Sequence, residues 1–295
     1  MQKSKNWINE KKEAVLLTII ASSLWGTSFP AIKIGLMYMD AYTFVFLRFF
    51  IALLIMLIFV LFTKNFRLDF INIKLIIFLG ITNGLAYFLQ YIGMSYTSAS
   101  NSSLLVNLTV VWVALLSPII TKERISLTKI AGVILSILGI VFITTNLDLN
   151  TLSFGETSGN LIVVAAGIIW ALFIIYNKPL SVKSKNMTQS LTWLLLFTML
   201  PLIPAVPFSI NSLPTLPVEA WIAILYTAIF CWIIPYYLWS EGLKNISPVT
   251  SSVILLNEII IAILISILFL GEILTLISGV GALFIISAIL LVSYS

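Results

Sequence analysis

The chain has 295 residues, of which 60% are apolar and 9% are charged. A soluble domain of this length carries about 25% charged residues to face water, so this composition excludes a water-soluble globular class and turns the outer surface toward lipid. The formal charge of +5 leaves two readings, an anionic partner such as nucleic acid or a topology signal, and the positions of the charges decide between them.

Runs of about 20 apolar residues are needed to cross the hydrocarbon core. Taken in chain order, ten such runs lie near 14–34, 42–62, 74–96, 101–120, 128–146, 159–177, 188–208, 220–241, 248–270 and 274–294. The first follows a basic start, as a signal peptide would, but it is too long and lacks a small-residue cleavage site, so it reads as a retained span. In the seventh, Pro201, Pro204 and Pro207 crowd the end. The basic residues alternate in side. Lys3, Lys5, Lys11 and Lys12 precede span one, and Lys64, Arg67 and Lys74 separate spans two and three. Lys122, Arg124 and Lys129 follow span four, Lys178, Lys183 and Lys185 follow span six, and Lys244 follows span eight. The opposite loops carry Asp40, Asp148, Glu156, Glu219 and Glu272, with Lys33 nearby. This asymmetry predicts a multi-pass protein of the cell (inner) membrane with both termini cytoplasmic. It also accounts for the basic charge without nucleic acid.

An internal repeat is visible at an offset of about 149 residues. It sets Tyr87, Gly93, Ser102, Ser103, Glu123 and Gly132 on Tyr236, Gly242, Ser251, Ser252, Glu272 and Gly281. Trp25 and Lys33 match Trp170 and Lys178 at a slightly shorter offset. Each half therefore holds five spans, and an odd number of crossings inverts the second half relative to the first. The expected fold is an all-α membrane protein of ten transmembrane helices in two inverted five-helix repeats. The first repeat is 1–146, the second 159–295, and 147–158 forms an external linker. Inverted repeats are typical of secondary transporters, whose substrate site sits near the midplane between the halves.

Several motifs carry a family resemblance. They are Ser23-Leu24-Trp25-Gly26-Thr27-Ser28-Phe29 in span one, Leu47-Arg48-Phe49 in span two, and Tyr91-Ile92-Gly93-Met94 with Tyr96-Thr97-Ser98-Ala99 at the exit of span three. The hydrophobic runs ending at Glu123 and at Gly271-Glu272 fit as well. In their order and spacing the chain resembles the drug/metabolite transporter superfamily, in its ten-span branch with two EamA-type repeats. The resemblance implies cytoplasmic termini, a central cavity and alternating access for small metabolites such as amino acids or drug-like compounds, often moved outward. One departure stands out. The family often has proline after the acidic residue of the ninth span, whereas here Ile259 follows Glu258 and Val110 takes the corresponding place in the first half. Helix distortion at those two places is left open.

Polar residues at membrane depth are costly and face a cavity or a neighbouring helix. Glu258, in span nine, shares a helical face with Ser251 and reads either as a proton-coupling carboxylate or as a bonded structural acid. Arg48 reads as a snorkelling or helix-pairing charge that meets an acid such as Asp40, or as a contact to an anionic substrate. Lys33 reads as a solvated end-of-helix charge. In span three, Asn83, Tyr87, Gln90 and Tyr91 fall on one face, as do Ser100, Ser103 and Asn107 in span four and Trp232, Tyr236 and Trp239 in span eight. Trp25 and Trp170 lie too deep for an interfacial belt. The cavity candidates are thus Trp25, Asn83, Tyr87, Gln90, Asn107, Trp170, Trp232 and Tyr236. Pro30 and Pro235 each free a backbone carbonyl. Gly132, Gly139 and Gly279 permit close helix approach, within one chain or in a homodimer.

Histidine is absent and Cys231 is the one cysteine, which removes the commonest metal ligand and any internal disulfide. Cys231 itself reads as a packing residue. No cofactor, metal or catalytic residue is expected. The partners expected are a small-molecule substrate, the lipid bilayer and protons as a coupling ion. An integral membrane enzyme acting on lipid-linked substrates, or a channel, is the alternative. No loop is long enough to hold an active site, and the polar residues cluster near mid-depth where a pore would line its whole length.

Overall fold

In hydrocarbon the backbone finds no water, so each N–H and C=O must bond within the protein, and a helix does this within one segment. The computed structural model describes residues 2–63, 72–94, 96–97, 99–122, 124–148, 150, 157–206, 216–270 and 275–294. Among these, every regular element is helical. Ten helices are long and apolar enough to cross a membrane. They are span 1 (Asn9–Gly35), span 2 (Ala41–Phe62), span 3 (Ile73–Gly93), span 4 (Ser103–Thr121), span 5 (Leu127–Thr145), span 6 (Thr157–Lys183), span 7 (Met187–Pro204), span 8 (Val218–Leu243), span 9 (Pro248–Ile265) and span 10 (Leu276–Ser293). Lys64, Arg67, Ser98, Glu123, Glu156, Pro207, Gly271 and Glu272 lie outside the described residues, as do the side chains of Lys3, Lys5, Phe29, Ser100 and Ser102.

Equivalent spans of the two halves start in the same way. A polar side chain accepts one of the N–H groups that a helix start leaves without a partner. Asp40 takes the Thr43 N–H at 2.9 Å ahead of span 2, and Asn186 takes that of Gln189 at 3.1 Å ahead of span 7. Ser126 takes the Lys129 N–H at 3.3 Å ahead of span 5, and Thr275 that of Ser278 at 3.1 Å ahead of span 10. The first half closes on Asn146, whose left-handed backbone (φ 50) ends span 5, a conformation asparagine tolerates. Span 7 ends early as an α-helix, at Thr198. It tightens into a 3-10 turn, Leu200–Ala205, because Pro201 and Pro204 have no N–H to continue it.

Four of these spans are interrupted. Span 1 breaks at Thr27, between Gln2–Gly26 and Ser28–Gly35, so Pro30 falls in the first turn of the second segment, where a missing N–H costs least. Span 8 contains a π turn, Ile229–Ile233, just before Pro235. Span 4 breaks at Leu108 and span 9 at Leu256, with ψ of −1° and −11°. At both, an N–H reaches back only three residues, from Val111 to Leu108 at 2.9 Å and from Ile259 to Leu256 at 3.0 Å. The helices are therefore distorted at repeat-equivalent places although neither carries the proline, with Val110 and Ile259 in its position.

Packing follows the same symmetry. Spans 5 and 10 lie against each other: a Cβ on Gly139 would stand 2.7 Å from the Gly281 carbonyl, and one on Gly281 would stand 2.9 Å from the Gly139 carbonyl. At the 149-residue offset Gly281 is the repeat of Gly132, and Ala288, which Gly132 faces, is the repeat of Gly139. Gly132, Gly139 and Gly281 thus serve packing within one chain. Span 3 crosses span 6 and span 8 crosses span 1, again on a repeated glycine. A Cβ on Gly93 would lie 3.1 Å from the Gly159 carbonyl, and one on Gly242 would lie 2.7 Å from that of Ala14. Each half's third span rests on the other half's first, as an inverted pair requires.

At one end of the bundle, Lys178 Nζ donates to the Leu243 and Lys244 carbonyls at 2.8 and 2.6 Å, and Lys129 Nζ donates to Ser247 Oγ at 3.0 Å. These bonds gather the turns after spans 4, 6 and 8. At the other end Thr275 donates to Asn146 Oδ1 at 2.6 Å, joining spans 5 and 10.

Gly139→Leu places a side chain against the Gly281 carbonyl and Ile285. Overpacking of this kind costs about 1–3 kcal/mol. The detergent-purified variant is expected to unfold at a lower temperature than wild type, and an unchanged midpoint would contradict this packing.

Candidate functional site: a cavity among the broken helices

The interruptions converge on a cavity of about 330 Å³, within the size range of small-molecule sites. The first half contributes span 1 (Trp25, Ser28, Ile32), span 2 (Arg48), span 3 (Tyr87, Gln90, Tyr91) and span 4 (Asn107, Thr109, Val110). The second contributes span 6 (Trp170, Phe173), span 8 (Cys231, Tyr236, Trp239) and span 9 (Ser252, Leu255, Glu258). Spans 5 and 10, paired at the periphery, supply none of the lining.

The wall is built on one repeated contact. Trp25 meets Tyr236 edge-on at 5.2 Å and 82°, and Trp170 meets Tyr87 edge-on at 4.8 Å and 84°. Tyr236 is the repeat of Tyr87 and Trp170 that of Trp25, so these are two copies of the same pair seated across the interface between halves. Edge-to-face geometry of this kind adds about 0.5–1.5 kcal/mol beyond burial. Phe173 continues the ring, 5.7 Å from Trp170 and 5.9 Å from Trp239. The indole N–H groups differ in what they hold. Pro235 has no N–H to offer the Cys231 carbonyl one turn below, and Trp25 Nε1 donates to that carbonyl instead, at 2.9 Å. Trp170 Nε1 donates to Gln90 Oε1 at 3.1 Å.

Beside the other interruptions, side chains bridge to the opposite half. Tyr226 OH donates to Thr27 Oγ1 at 2.7 Å. Thr109 Oγ1 donates to the Gly167 carbonyl at 3.2 Å. Asn257 Nδ2 donates to Ser22 and Ser23 at 3.2 and 2.9 Å. Gly26 lets span 1 approach here, since a Cβ would stand 2.7 Å from the Glu258 carbonyl.

The cavity residues include one cation, Arg48, and one carboxylate, Glu258. Arg48 is not paired with Asp40, whose carboxylate is engaged by the Thr43 N–H and hydroxyl at the start of span 2. Its guanidinium instead lies 4.9 Å from the Phe49 ring centre and 5.3 Å from that of Tyr87. Glu258 reaches the cavity without a hydrogen-bond partner among the described residues. Lys33, by contrast, is exposed on span 1.

Of the sequence candidates, Trp25, Tyr87, Gln90, Asn107, Trp170, Tyr236, Arg48 and Glu258 line the cavity. Asn83 and Trp232 do not. Asn83 lies fully buried one layer behind, donating to Thr198 Oγ1 at 3.1 Å and accepting from Tyr236 OH at 3.0 Å. Trp232 is fully buried, stacked on Tyr236 at 4.6 Å and against Phe49 at 6.1 Å. Ser251 shares no face with Glu258, because the turn at Leu256 breaks the helical count between them. Ser251 accepts from Trp239 Nε1 at 2.8 Å, and Ser252 reaches the cavity instead. Ser28, Thr109, Phe173 and the wall position of Cys231 escaped the sequence reading. A signal existed for Thr109, which the 149-residue offset sets on Glu258. Among the described residues no group of three or more His, Cys, Asp or Glu could hold a metal ion.

A model of the EamA-like transporter family matches residues 12–145 and again 157–294. The chain belongs to that family. An Archaeoglobus fulgidus protein named an uncharacterized transporter is 28% identical over 94% of this chain and 95% of its own length. Another from the same organism, similarly named, is 29% identical over 78% of this chain and 80% of its own. A Bacillus subtilis protein, also named an uncharacterized transporter, is 26% identical over 70% of this chain. A crystal structure at 16% identity superposes with a TM-score of 0.79 over 95% of this chain and 96% of the other, which shows the same fold. This EamA-like chain is therefore a multi-pass membrane protein of a transporter family.

Trp25→Phe leaves the Cys231 carbonyl without its donor, at a cost of about 1–3 kcal/mol. Adding Pro235→Ala returns an amide N–H to that turn. The double variant is expected to lose less thermal stability than the two single losses summed, and strict additivity would rule the carbonyl bond out as the coupling.

Proposed function

We propose that this family member is a secondary carrier that moves small organic solutes, amino-acid-like or drug-like, across the cell membrane. The observation that carries the reading is the cavity of about 330 Å³ whose walls come from both inverted halves. Rocking of 1–146 against 159–295, joined through 147–158 on the outer side, would open such a site to one side at a time. Trp25, Tyr87, Gln90, Asn107, Trp170 and Tyr236 are the substrate-facing side chains in this scheme. Cytoplasmic termini are supported by the gathering of Lys129, Lys178 and Lys244 at one end of the bundle. Outward flux is the direction assigned, on the family resemblance in the motifs of spans 1 to 3.

Glu258 is the proposed proton carrier. It offers the cavity a carboxylate that no side chain among the described residues holds, and such a group can take up and release a proton as the site changes sides.

Purified protein in proteoliposomes is expected to show saturable solute counterflow from an amino-acid and metabolite panel. Ion conductance far above carrier turnover would sink the carrier reading. Glu258→Gln is expected to abolish proton-driven accumulation and flatten its pH dependence while sparing counterflow. Accumulation equal to wild type would remove Glu258 from coupling.

A further inference from the structure

Arg48 is 3% exposed, yet it belongs to the cavity wall. Its one side-chain hydrogen bond among the described residues runs from Nη2 to the neutral Tyr87 hydroxyl at 3.5 Å, the outer limit of such a bond. Its Nε–H has no partner among the described residues. The acid nearest in sequence, Asp40, is held at its own helix start, and Arg48 makes no ion pair with Glu258. A cation desolvated in this way is costly unless an anion completes it.

The aromatic neighbours define where that anion goes. Phe49 and Tyr87 hold the guanidinium by cation–π contact, while the buried Nε–H is left unpartnered among the described residues. A carboxylate binds a guanidinium in its plane, through two parallel N–H···O bonds. The charge balance favours a monoanion. With Glu258 protonated, one negative charge balances Arg48, whereas a dianionic phosphate leaves one in excess in a low-dielectric site. The remaining wall is mostly aromatic and aliphatic, which suits an apolar body. We propose that Arg48 is an anion subsite that takes the carboxylate of an otherwise apolar solute, a specificity that rests on the cavity being the transport site.

The probes are phenylacetate and its neutral isostere phenylacetamide, read by tryptophan fluorescence of the purified protein. Wild type is expected to bind phenylacetate at least tenfold more tightly than phenylacetamide. Arg48→Gln should erase that preference and leave phenylacetamide unchanged, and Arg48→Lys should recover part of it by keeping the charge without the fork. Equal wild-type affinities for the two probes, including no detectable binding of either, would overturn the subsite without recourse to a variant. So would an equal loss of both probes in Arg48→Gln, which is what a purely structural arginine gives. Counterflow of both probes separates the two readings. A binding preference without saturable counterflow removes the carrier and keeps the subsite, whereas counterflow that ignores probe charge keeps the carrier and removes the subsite.

Discussion

Inside a bilayer a backbone carbonyl or amide without a partner has no water to turn to, and this chain interrupts four of its ten helices at that depth. Side chains at or beside those interruptions reach across to the opposite half. Trp25 donates to the Cys231 carbonyl beside Pro235, and Tyr226 donates to Thr27 at the break of span 1. Thr109 bonds the Gly167 carbonyl beside the break of span 4, and Asn257 bonds Ser22 and Ser23 beside that of span 9. All five bonds run between the first half and the second. Side chains beside the irregular backbone thus tie the halves together, and such backbone is tolerated where it lines a cavity.

The frame is symmetric and the chemistry is not. Tyr87 with Trp170 and Tyr236 with Trp25 are copies of one edge-on contact, and Gly93 and Gly242 are copies of one helix crossing. The two cavity charges, Arg48 and Glu258, have no such copies. Thr109 stands where the second half has Glu258, and at the spacing set by the paired caps Asp40 and Asn186, Arg48 falls on the buried Leu194. A duplicated scaffold therefore holds one cation in one half and one carboxylate in the other, at a shared site. Changes at such positions alter the cavity wall without disturbing the helix pairs that carry the fold.

Much of this was legible in the residues alone. Composition required lipid around the chain, the apolar runs placed ten spans, and the 149-residue repeat inverted the halves. Most cavity candidates came from polar stripes at helical spacing, which works wherever the helix is continuous. It failed where the helix is not: Ser251 shares a face with Glu258 only if residues 251–258 form one unbroken helix, and the turn at Leu256 breaks it. Asn83 and Trp232 failed for a different reason. A stripe is wider than the part of it that meets open space, and these two are covered by Thr198, Tyr236 and Phe49 from other spans.

The sequence by itself determined the solvent, the number of crossings and their inversion, because those follow from transfer energies and parity, which are properties of segments. Only the tertiary structure decided that Gly139 packs on Gly281 within one chain, that Trp25 replaces the amide Pro235 lacks, and that Arg48 faces a cavity and not Asp40. Each of these depends on which residue far along the chain comes within a few ångströms, and an amide or a charge in hydrocarbon is stabilised or left costly by that one neighbour.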